Sequence, residues 1–178
     1  MNLLPAMPVI RHATMYDAAA VAALGRRTFC DTFAADNTPE DLAMFLDATY
    51  GESVQREELT SPHLTYLLAE HDQALVGFAL LRRGKATPQV TDPTAIELQR
   101  LYVDLPWHGT GLARALMAEC FRVARESGAG AMWLGVWERN ARALRFYAAQ
   151  GFVAIGQQVF TVGSDPQTDT VMLRRLRE

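Results

Sequence analysis

A strand, a glycine-rich turn and a long helix follow one another directly in the middle of this chain. The segment AIELQRLYVD, residues 95–104, is rich in strand formers, and WHGTGLAR, residues 107–114, carries two glycines two positions apart. Residues 111–130 then have apolar side chains at helical spacing, with arginines on the opposite side. This succession predicts an α/β fold in which a ligand can approach the bare backbone between strand and helix.

The remaining segments complete one mixed α/β domain over residues 8–178, preceded by an N-terminal extension, residues 1–7. Alternation and turn residues predict the other strands, and 3.6-residue periodicity with caps predicts the other helices. The predicted strands fall within 7–14, 63–72, 73–84, 131–137, 152–163 and 168–177, and the predicted helices within 14–34, 37–51, 52–62 and 138–151. No segment has the composition of a linker that would divide the domain.

Composition and charge narrow the function classes. The 178 residues are 49% hydrophobic and 21% charged, as in ordinary globular domains. The net charge of −3 argues against nucleic acid as a partner and mildly favours a cationic substrate. No apolar run reaches the roughly 18 residues of a membrane span, and no signal peptide is recognisable. Cys30 and Cys120 stand alone, which indicates reduced thiols rather than a metal site and makes the cytoplasm the expected compartment.

The glycine stretch is suited to hold an anion. The first amides of a helix have no carbonyl partner, and the helix dipole adds partial positive charge there. The amides of residues His108 to Ala113 would hold a pyrophosphate, and Arg114 would add a charged contact. The alternative is a structural turn that binds nothing. Neither the Walker loop nor the dinucleotide fingerprint GxGxxG is matched.

A second segment favours the binding interpretation. LGVWERNARALRFYAAQGF, residues 134–152, pairs a strand with a helix that has Asn near its start and Tyr further on. Together with HGTGLA, this chain resembles the GNAT superfamily of acyl-CoA N-acyltransferases. The family pattern N-x-x-A-x-x-F-Y-x-x-x-G-F is matched from Asn140 to Phe152, and Gly111 and Ala113 occupy the small positions of the pyrophosphate motif. His108 departs from the Gln or Arg usual at its first position.

The resemblance implies a mixed, splayed sheet of about seven strands flanked by helices, with acetyl-CoA in the opening. In the strand before the glycine stretch, the apolar residues Ile96 and Leu98 fall on even positions, whereas Leu101 and Val103 fall on odd positions. This change of parity suggests a β-bulge, although a strand buried on both faces would also explain the pattern. Main-chain groups after the bulge would pair with the pantetheine amides. The expected cofactor-binding residues are Leu101, Tyr102, Val103, His108, Gly109, Thr110, Gly111, Leu112, Ala113, Arg114, Asn140 and Tyr147.

The same resemblance suggests catalytic roles. Tyr147 would protonate the leaving thiolate, or else it is a core residue of its helix. Asn140 would contact the cofactor arm, cap the helix, or do both. An alkylamine is protonated near pH 7 and must lose a proton before it attacks. Glu97 is the first candidate for the base that takes this proton, and Glu138 is the second. The alternative for Glu97 is an exposed carboxylate on a strand, and the alternative for Glu138 is a carboxylate that stabilises the start of a helix.

The implied reaction is transfer of an acetyl group from acetyl-CoA to a primary amine by direct attack in a ternary complex, without a metal. The segments RLYV, WLGVWERNARALRFY and QTDTVM resemble bacterial small-amine and polyamine acetyltransferases. Phe29 and Phe33 would line the acceptor pocket, or else belong to the core. A protein N-terminal or lysine acetyltransferase, a non-catalytic acyl-CoA sensor and an interaction module remain alternatives. A homodimer is compatible with the sequence but not indicated by it.

Overall fold

The computed structural model describes residues 7–85 and 87–176. Apart from Met7, the predicted N-terminal extension lies outside the described residues. The helices are α1 (Ala18–Phe33), α2 (Pro39–Thr49), α3 (Glu52–Thr60), α4 (Leu112–Glu126) and α5 (Ala141–Ala149). The strands are β1 (Val9–His12), β2 (Leu64–His71), β3 (Ala74–Arg82), β4 (Ile96–Val103), β5 (Ala131–Trp137), β6 (Val153–Val162) and β7 (Asp165–Arg175).

The seven strands form one mixed sheet in the order β1-β2-β3-β4-β5-β7-β6. All neighbours are antiparallel except β4 and β5, which are parallel and connected through α4. The predicted fold class is therefore confirmed. None of the helices in residues 7–85 and 87–176 is long and apolar enough to cross a bilayer.

The sheet divides between its fourth and fifth strands. β4 and β5 pair only at Ile96 with Met132 and at Glu97 with Trp133, and no further pair forms toward Val103. The carboxyl halves of these two strands are therefore free of each other. They bound a wedge-shaped opening that points toward the start of α4.

A β-bulge lies at the point where the strands part. Leu80 and Leu81 are consecutive in β3, yet they pair with Arg100 and Leu98, so Gln99 is the extra residue of β4. Leu98 and Leu101 both pack into the core on the α4 side in spite of their opposite parity. The bulge that the parity shift suggested is therefore present.

Two apolar cores cover the two faces of the sheet. α4 packs on one face through Leu112, Leu116, Met117 and Cys120, all of them 0% exposed. The other face packs against α1 and α2. The glycine stretch leads directly into α4. Because α4 is buried against the sheet, the glycine stretch is held in a fixed position against the end of β4.

A buried ion pair fastens the bulged strand to α3. The Arg100 guanidinium donates to both carboxylate oxygens of Glu58, at 2.8 and 3.0 Å, and to the Tyr66 hydroxyl. It also lies 5.1 Å from the centre of the Tyr50 ring. The Arg100 side chain is 8% exposed and that of Glu58 18%. A pair this buried is costly to break, because the remaining charge loses its partner without regaining water.

We expect Glu58→Gln to lower the free energy of unfolding by about 3 kcal/mol, because Arg100 would keep its charge in a buried site. The matched control is Glu52→Gln, which removes the exposed Arg56 pair on the same helix and should cost no more than about 0.5 kcal/mol. Urea unfolding of both variants measures the difference. Equal effects of the two substitutions would contradict this account.

Candidate active site

The opening between β4 and β5 is one continuous cleft of about 660 Å³. It runs from the start of α4, past the bulge, to β6 and β7. The side chains and main-chain groups that line it come from α1, β4, the glycine turn, β5, α5, β6 and β7. Residues far apart in sequence are thus brought to one cavity by the division of the sheet.

The two glycines of the turn adopt backbone conformations that other residues rarely reach. Gly109 has φ of 76° and Gly111 has φ of 92°, both in the left-handed region. A Cβ atom built on either would meet nothing within 4 Å. Both glycines line the cleft, so a side chain at these positions would extend into the space that a ligand would occupy.

The amides of this turn are available to an anion. Helix α4 begins at Leu112, and Gly111 caps it without a side-chain hydrogen bond. The amides of Leu112, Ala113 and Arg114 precede the first intrahelical bond, which runs from Ala115 to the Gly111 carbonyl at 3.0 Å. The His108 and Thr110 amides, which the sequence also assigned to the anion, instead donate to the Leu105 and Trp107 carbonyls at 3.0 and 3.4 Å. The amides open to an anion are therefore those at the start of α4, and the exposed Arg114 side chain borders them.

The free edge of β4 differs in detail from the expectation. The Asp104 amide donates to Val76 of β3, and the Tyr102 carbonyl lies toward Gly77 of the same strand. Because main-chain groups alternate along a strand, Tyr102 faces β3, whereas Leu101 and Val103 face the opening. Only the main-chain groups of Leu101 and Val103 are therefore open to the expected contact, although Tyr102 also lines the cleft.

His108 has a defined structural role at the irregular position of the motif. Its Nδ1 lies 2.8 Å from the Arg142 guanidinium, which only donates, so Nδ1 accepts. Its Nε2 therefore carries the hydrogen and donates to the Val103 carbonyl at 2.8 Å. The imidazole thus connects the end of β4 to the start of α5. It also brings the Arg142 charge to the cofactor end of the cleft.

Tyr147 and Asn140 both reach the cleft. The Tyr147 ring packs edge-on against Phe146 and Phe152, so Tyr147 is also a packing residue of its helix, which was the alternative to a catalytic role. Burial raises the pKa of the Tyr147 phenol above its usual range, which keeps the proton on the oxygen at neutral pH. The Asn140 side chain accepts from the Ala143 amide at 3.1 Å, so it caps α5 as the sequence allowed.

The structure does not bring the two candidate bases to the cleft. Glu97 lies where β4 and β5 are still paired, and its carboxylate accepts from Arg82 at 2.7 Å. Glu138 is exposed at the end of β5, outside the cleft lining. Sequence reasoning could not foresee the Glu97 pair, because it depends on a neighbour in another strand. These geometries give no support to a proton-accepting role for either residue.

Phe29 and Phe33 both line the cleft, but in different ways. Phe29 is 3% exposed and stacks on Phe45, so it is mainly a core residue. Phe33 is half-buried, and its ring lies 6.0 Å from that of Trp137, edge to face. The buried Cys120 thiol, whose pKa burial raises to about 12, is an inert core group.

Several cleft residues were missed from the sequence. Asp169, Trp137, Phe160 and Gln167 form the end of the cleft distant from the glycine turn. Trp137 lies in the segment 134–152, and Gln167 and Asp169 lie in QTDTVM, but the resemblance gave none of them a role. Spacing along the chain could not show that β5, β6 and β7 are neighbours. One signal was present, since Asp169 lies within QTDTVM, a segment on which the family resemblance rests.

The cleft fits the cofactor that the motifs imply. The glycine turn leaves a cradle that any Cβ would fill, and Arg114 and Arg142 border it with positive charge. At the bulge, the buried Gln99 Oε1 has no hydrogen-bond partner among the described residues. An amide-bearing arm that enters along β4 would meet both the open strand edge and this acceptor.

Comparison with known proteins agrees with this interpretation of the cleft. The model of the acetyltransferase (GNAT) family matches residues 28–152. An uncharacterised N-acetyltransferase of Mycobacterium bovis is 40% identical over 162 residues, 91% of this chain and 99% of that protein. The N-alpha-acetyltransferase RimI of Mycobacterium tuberculosis is 35% identical over 99 residues, 56% of this chain and 58% of that enzyme.

Among solved structures, the PaiA N-acetyltransferase of Thermoplasma acidophilum, determined in complex with coenzyme A, has a TM-score of 0.74. It is 21% identical and the match covers 94% of this chain and 98% of that one, so it is similar in fold. The family match spans both the glycine turn and the segment from Asn140 to Phe152. The chain therefore belongs to the GNAT family and is an acetyl-CoA-dependent N-acetyltransferase.

Proposed function

We propose that this enzyme acetylates a primary amine of a small cationic molecule, such as a polyamine, within the cleft between β4 and β5. The observation that carries the proposal is the shape of the cleft. One end is an anion cradle of backbone amides, and the other is a confined pocket with an acidic residue. The two ends meet at the bulge, where a thioester and an amine would come into contact.

The cofactor end is built for a ligand with a pyrophosphate and an amide-bearing arm. The amides at the start of α4 and the charges of Arg114 and Arg142 suit the pyrophosphate. The open edge at Leu101 and Val103 suits the arm, although the Val103 carbonyl already accepts from His108. Acetyl-CoA supplies the activated thioester, and these residues orient it toward the bulge.

The acceptor end is closed by a bridge between α2 and the β6–β7 turn. The Asp41 carboxylate accepts from the Ser164 amide at 2.6 Å and from its hydroxyl at 2.7 Å. Gln167 donates to Asn37 at 2.8 Å. A Cβ on Gly163 would collide with the main chain of Asp41, so the turn lies directly on the helix. This contact leaves little room for a peptide to pass through in an extended form.

Tyr147 is the proposed proton donor to the leaving thiolate. It lies on α5, between the cofactor end and the acceptor end, and its hydroxyl has no hydrogen bond to the described residues. Its raised pKa keeps the donor form populated at neutral pH. The Tyr102 phenol also interacts electrostatically with Tyr147. Tyr102 is buried, however, and its hydroxyl is already hydrogen-bonded with that of Tyr50, so Tyr147 is the proposed donor.

A peptide N-terminus is the second candidate acceptor, because the relative RimI is named an N-alpha-acetyltransferase. The two candidates differ in the space they need beyond the amine. Purified enzyme with acetyl-CoA should release free CoA thiol with butylamine, 1,4-diaminobutane or spermidine. It should release at least tenfold less with alanine-initiated hexapeptides. The reverse preference would favour the peptide acceptor, and no release with either would leave the acyl-CoA sensor.

The cradle is tested by Gly111→Val. The β-branched side chain would enter the space left for the pyrophosphate, so stabilisation by acetyl-CoA should disappear. For the unaltered protein, a ligand at about 100 times its dissociation constant adds roughly 2.7 kcal/mol to the free energy of unfolding. Thermal unfolding with and without acetyl-CoA measures this difference.

The matched control is Gly84→Val. Gly84 also has a positive φ, of 76°, and a Cβ atom built on it would also meet nothing within 4 Å, but it lies outside the cleft lining. Both substitutions introduce similar backbone strain, so only the position relative to the cleft differs. Retention of the acetyl-CoA effect in Gly111→Val, or its loss in both variants, would contradict the cradle.

The acid role is tested by Tyr147→Phe, which keeps the ring contacts with Phe146 and Phe152. We expect kcat for the best amine to fall about 100-fold or more, because a positioned general acid contributes that much. Acetyl-CoA should still stabilise the variant. Tyr16→Phe, at a side chain that is 90% exposed, is the control. An unchanged kcat in Tyr147→Phe would assign Tyr147 to packing alone.

A further inference from the structure

A buried carboxylate at the closed end of the cleft has no assigned role. Asp169 lies on β7, lines the cleft, and is only 7% exposed. Its carboxylate has no hydrogen bond or ion pair within the part of the chain that the structure describes. Buried carboxylates are ordinarily paired, so an unpaired one that borders a cavity indicates a partner supplied by the ligand.

The surrounding strands leave space for this carboxylate. Asp169 pairs with Trp137 of β5 and with Gln158 of β6, so all three side chains share one face of the sheet. A Cβ on Gly135 of β5 would lie 2.9 Å from an Asp169 carboxylate oxygen and 2.5 Å from the Gln158 amide nitrogen. The absence of a side chain at Gly135 thus allows the carboxylate to lie over β5, beside the divided part of the sheet.

Burial alone raises the pKa of Asp169 to about 6. Its neighbours on the same face, Gly135, Trp137, Gln158 and Gln167, do not ionise. The charged side chains that line the cleft elsewhere are Arg100, which is engaged by Glu58, and His108, Arg114 and Arg142 at the cofactor end. The carboxylate is thus ionised at neutral pH without a cation in the described structure.

We propose that Asp169 is the catalytic residue that binds the ammonium group of the acceptor and takes its proton. The proposal rests on the function proposed above and specifies its substrate class, a cationic alkylamine. Glu97, the base expected from the sequence, is already paired with Arg82, whereas Asp169 faces the cavity. Phe33, Trp137 and Phe160 surround the alkyl part of the amine and exclude water.

The reaction balances with these residues. The ammonium group gives one proton to the Asp169 carboxylate, and the freed nitrogen lone pair forms a bond to the thioester carbonyl carbon. The carbon–sulfur bond breaks, and its electron pair leaves with sulfur. A second proton from the nitrogen replaces the one that Tyr147 donates to that sulfur. Asp169 returns its proton to solvent, so an ammonium ion and a thioester become an amide, a thiol and a proton.

The test is the pH dependence of kcat/KM for butylamine in the unaltered enzyme and in Asp169→Asn. With Asp169 as the base, the ammonium form is the substrate, so kcat/KM should be constant between about pH 6 and the pKa of the alkylamine and should fall below about pH 6. The variant should be about 100-fold slower at pH 7. Its kcat/KM should rise tenfold per pH unit toward the pKa of the alkylamine, about 10.4, because only the neutral amine then reacts.

The control is Asp47→Asn, at a carboxylate that is 75% exposed on α2, and it should keep the profile of the unaltered enzyme. Parallel profiles for the unaltered enzyme and Asp169→Asn would overturn the proposal while the proposed function stands. If the unaltered enzyme is stabilised by acetyl-CoA but acetylates no alkylamine, the substrate class is wrong and the proposal fails. If acetyl-CoA does not stabilise it either, the proposed function fails first.

A second measurement separates loss of chemistry from loss of structure. The pKa of Asp169 is raised on folding, so the loss of stability from its ionisation develops between the unfolded pKa of about 3.9 and about pH 6, is complete above that, and is absent below about pH 3.9. Asp169→Asn should therefore unfold at a higher temperature than the unaltered protein at pH 8, and the gain should vanish near pH 4. A lower unfolding temperature at pH 8 would show that the carboxylate is satisfied within the fold, which would overturn the proposal.

Discussion

The function of this chain depends on the fact that β4 and β5 stop pairing after only two residue pairs. Two residue pairs join the parallel strands, and the bulge at Gln99 then turns β4 away. The buried pair of Arg100 with Glu58 holds the bulged strand on α3, and the burial of α4 holds the glycine turn beyond it. The cavity is therefore a consequence of packing on both faces of the sheet rather than of a flexible loop.

The divided sheet separates two kinds of recognition. Toward α4, backbone amides, glycines and two arginines are suited to a phosphate-bearing cofactor. Toward β6 and β7, aromatic side chains and Asp169 are suited to a cation. The small net charge of the whole chain, −3, does not reveal the charge at either end of the cleft. The specificity we propose arises from a few charges placed in a confined space, where water does not screen them.

Much of the fold followed from local pattern. The strand AMWLGVW coincides with β5, and the shift of parity between Leu98 and Leu101 indicated the bulge. Residues that depend on a distant partner could not be assigned in this way. Glu97 is turned to Arg82 by the pairing of β3 with β4, and Asp169 reaches the cleft only because β5, β6 and β7 are neighbours. The motif position of His108 likewise gave no hint of its bond to Arg142.

The central claim, that the cofactor lies between the divided strands, is tested most directly by amide hydrogen exchange with and without coenzyme A. The account predicts protection of the amides of Gly111, Leu112 and Ala113 at the start of α4 and of Leu101 and Val103 on the open edge of β4. The exposed edge strand β6 should exchange at the same rate in both conditions. Protection elsewhere, with these five amides unchanged, would contradict the account.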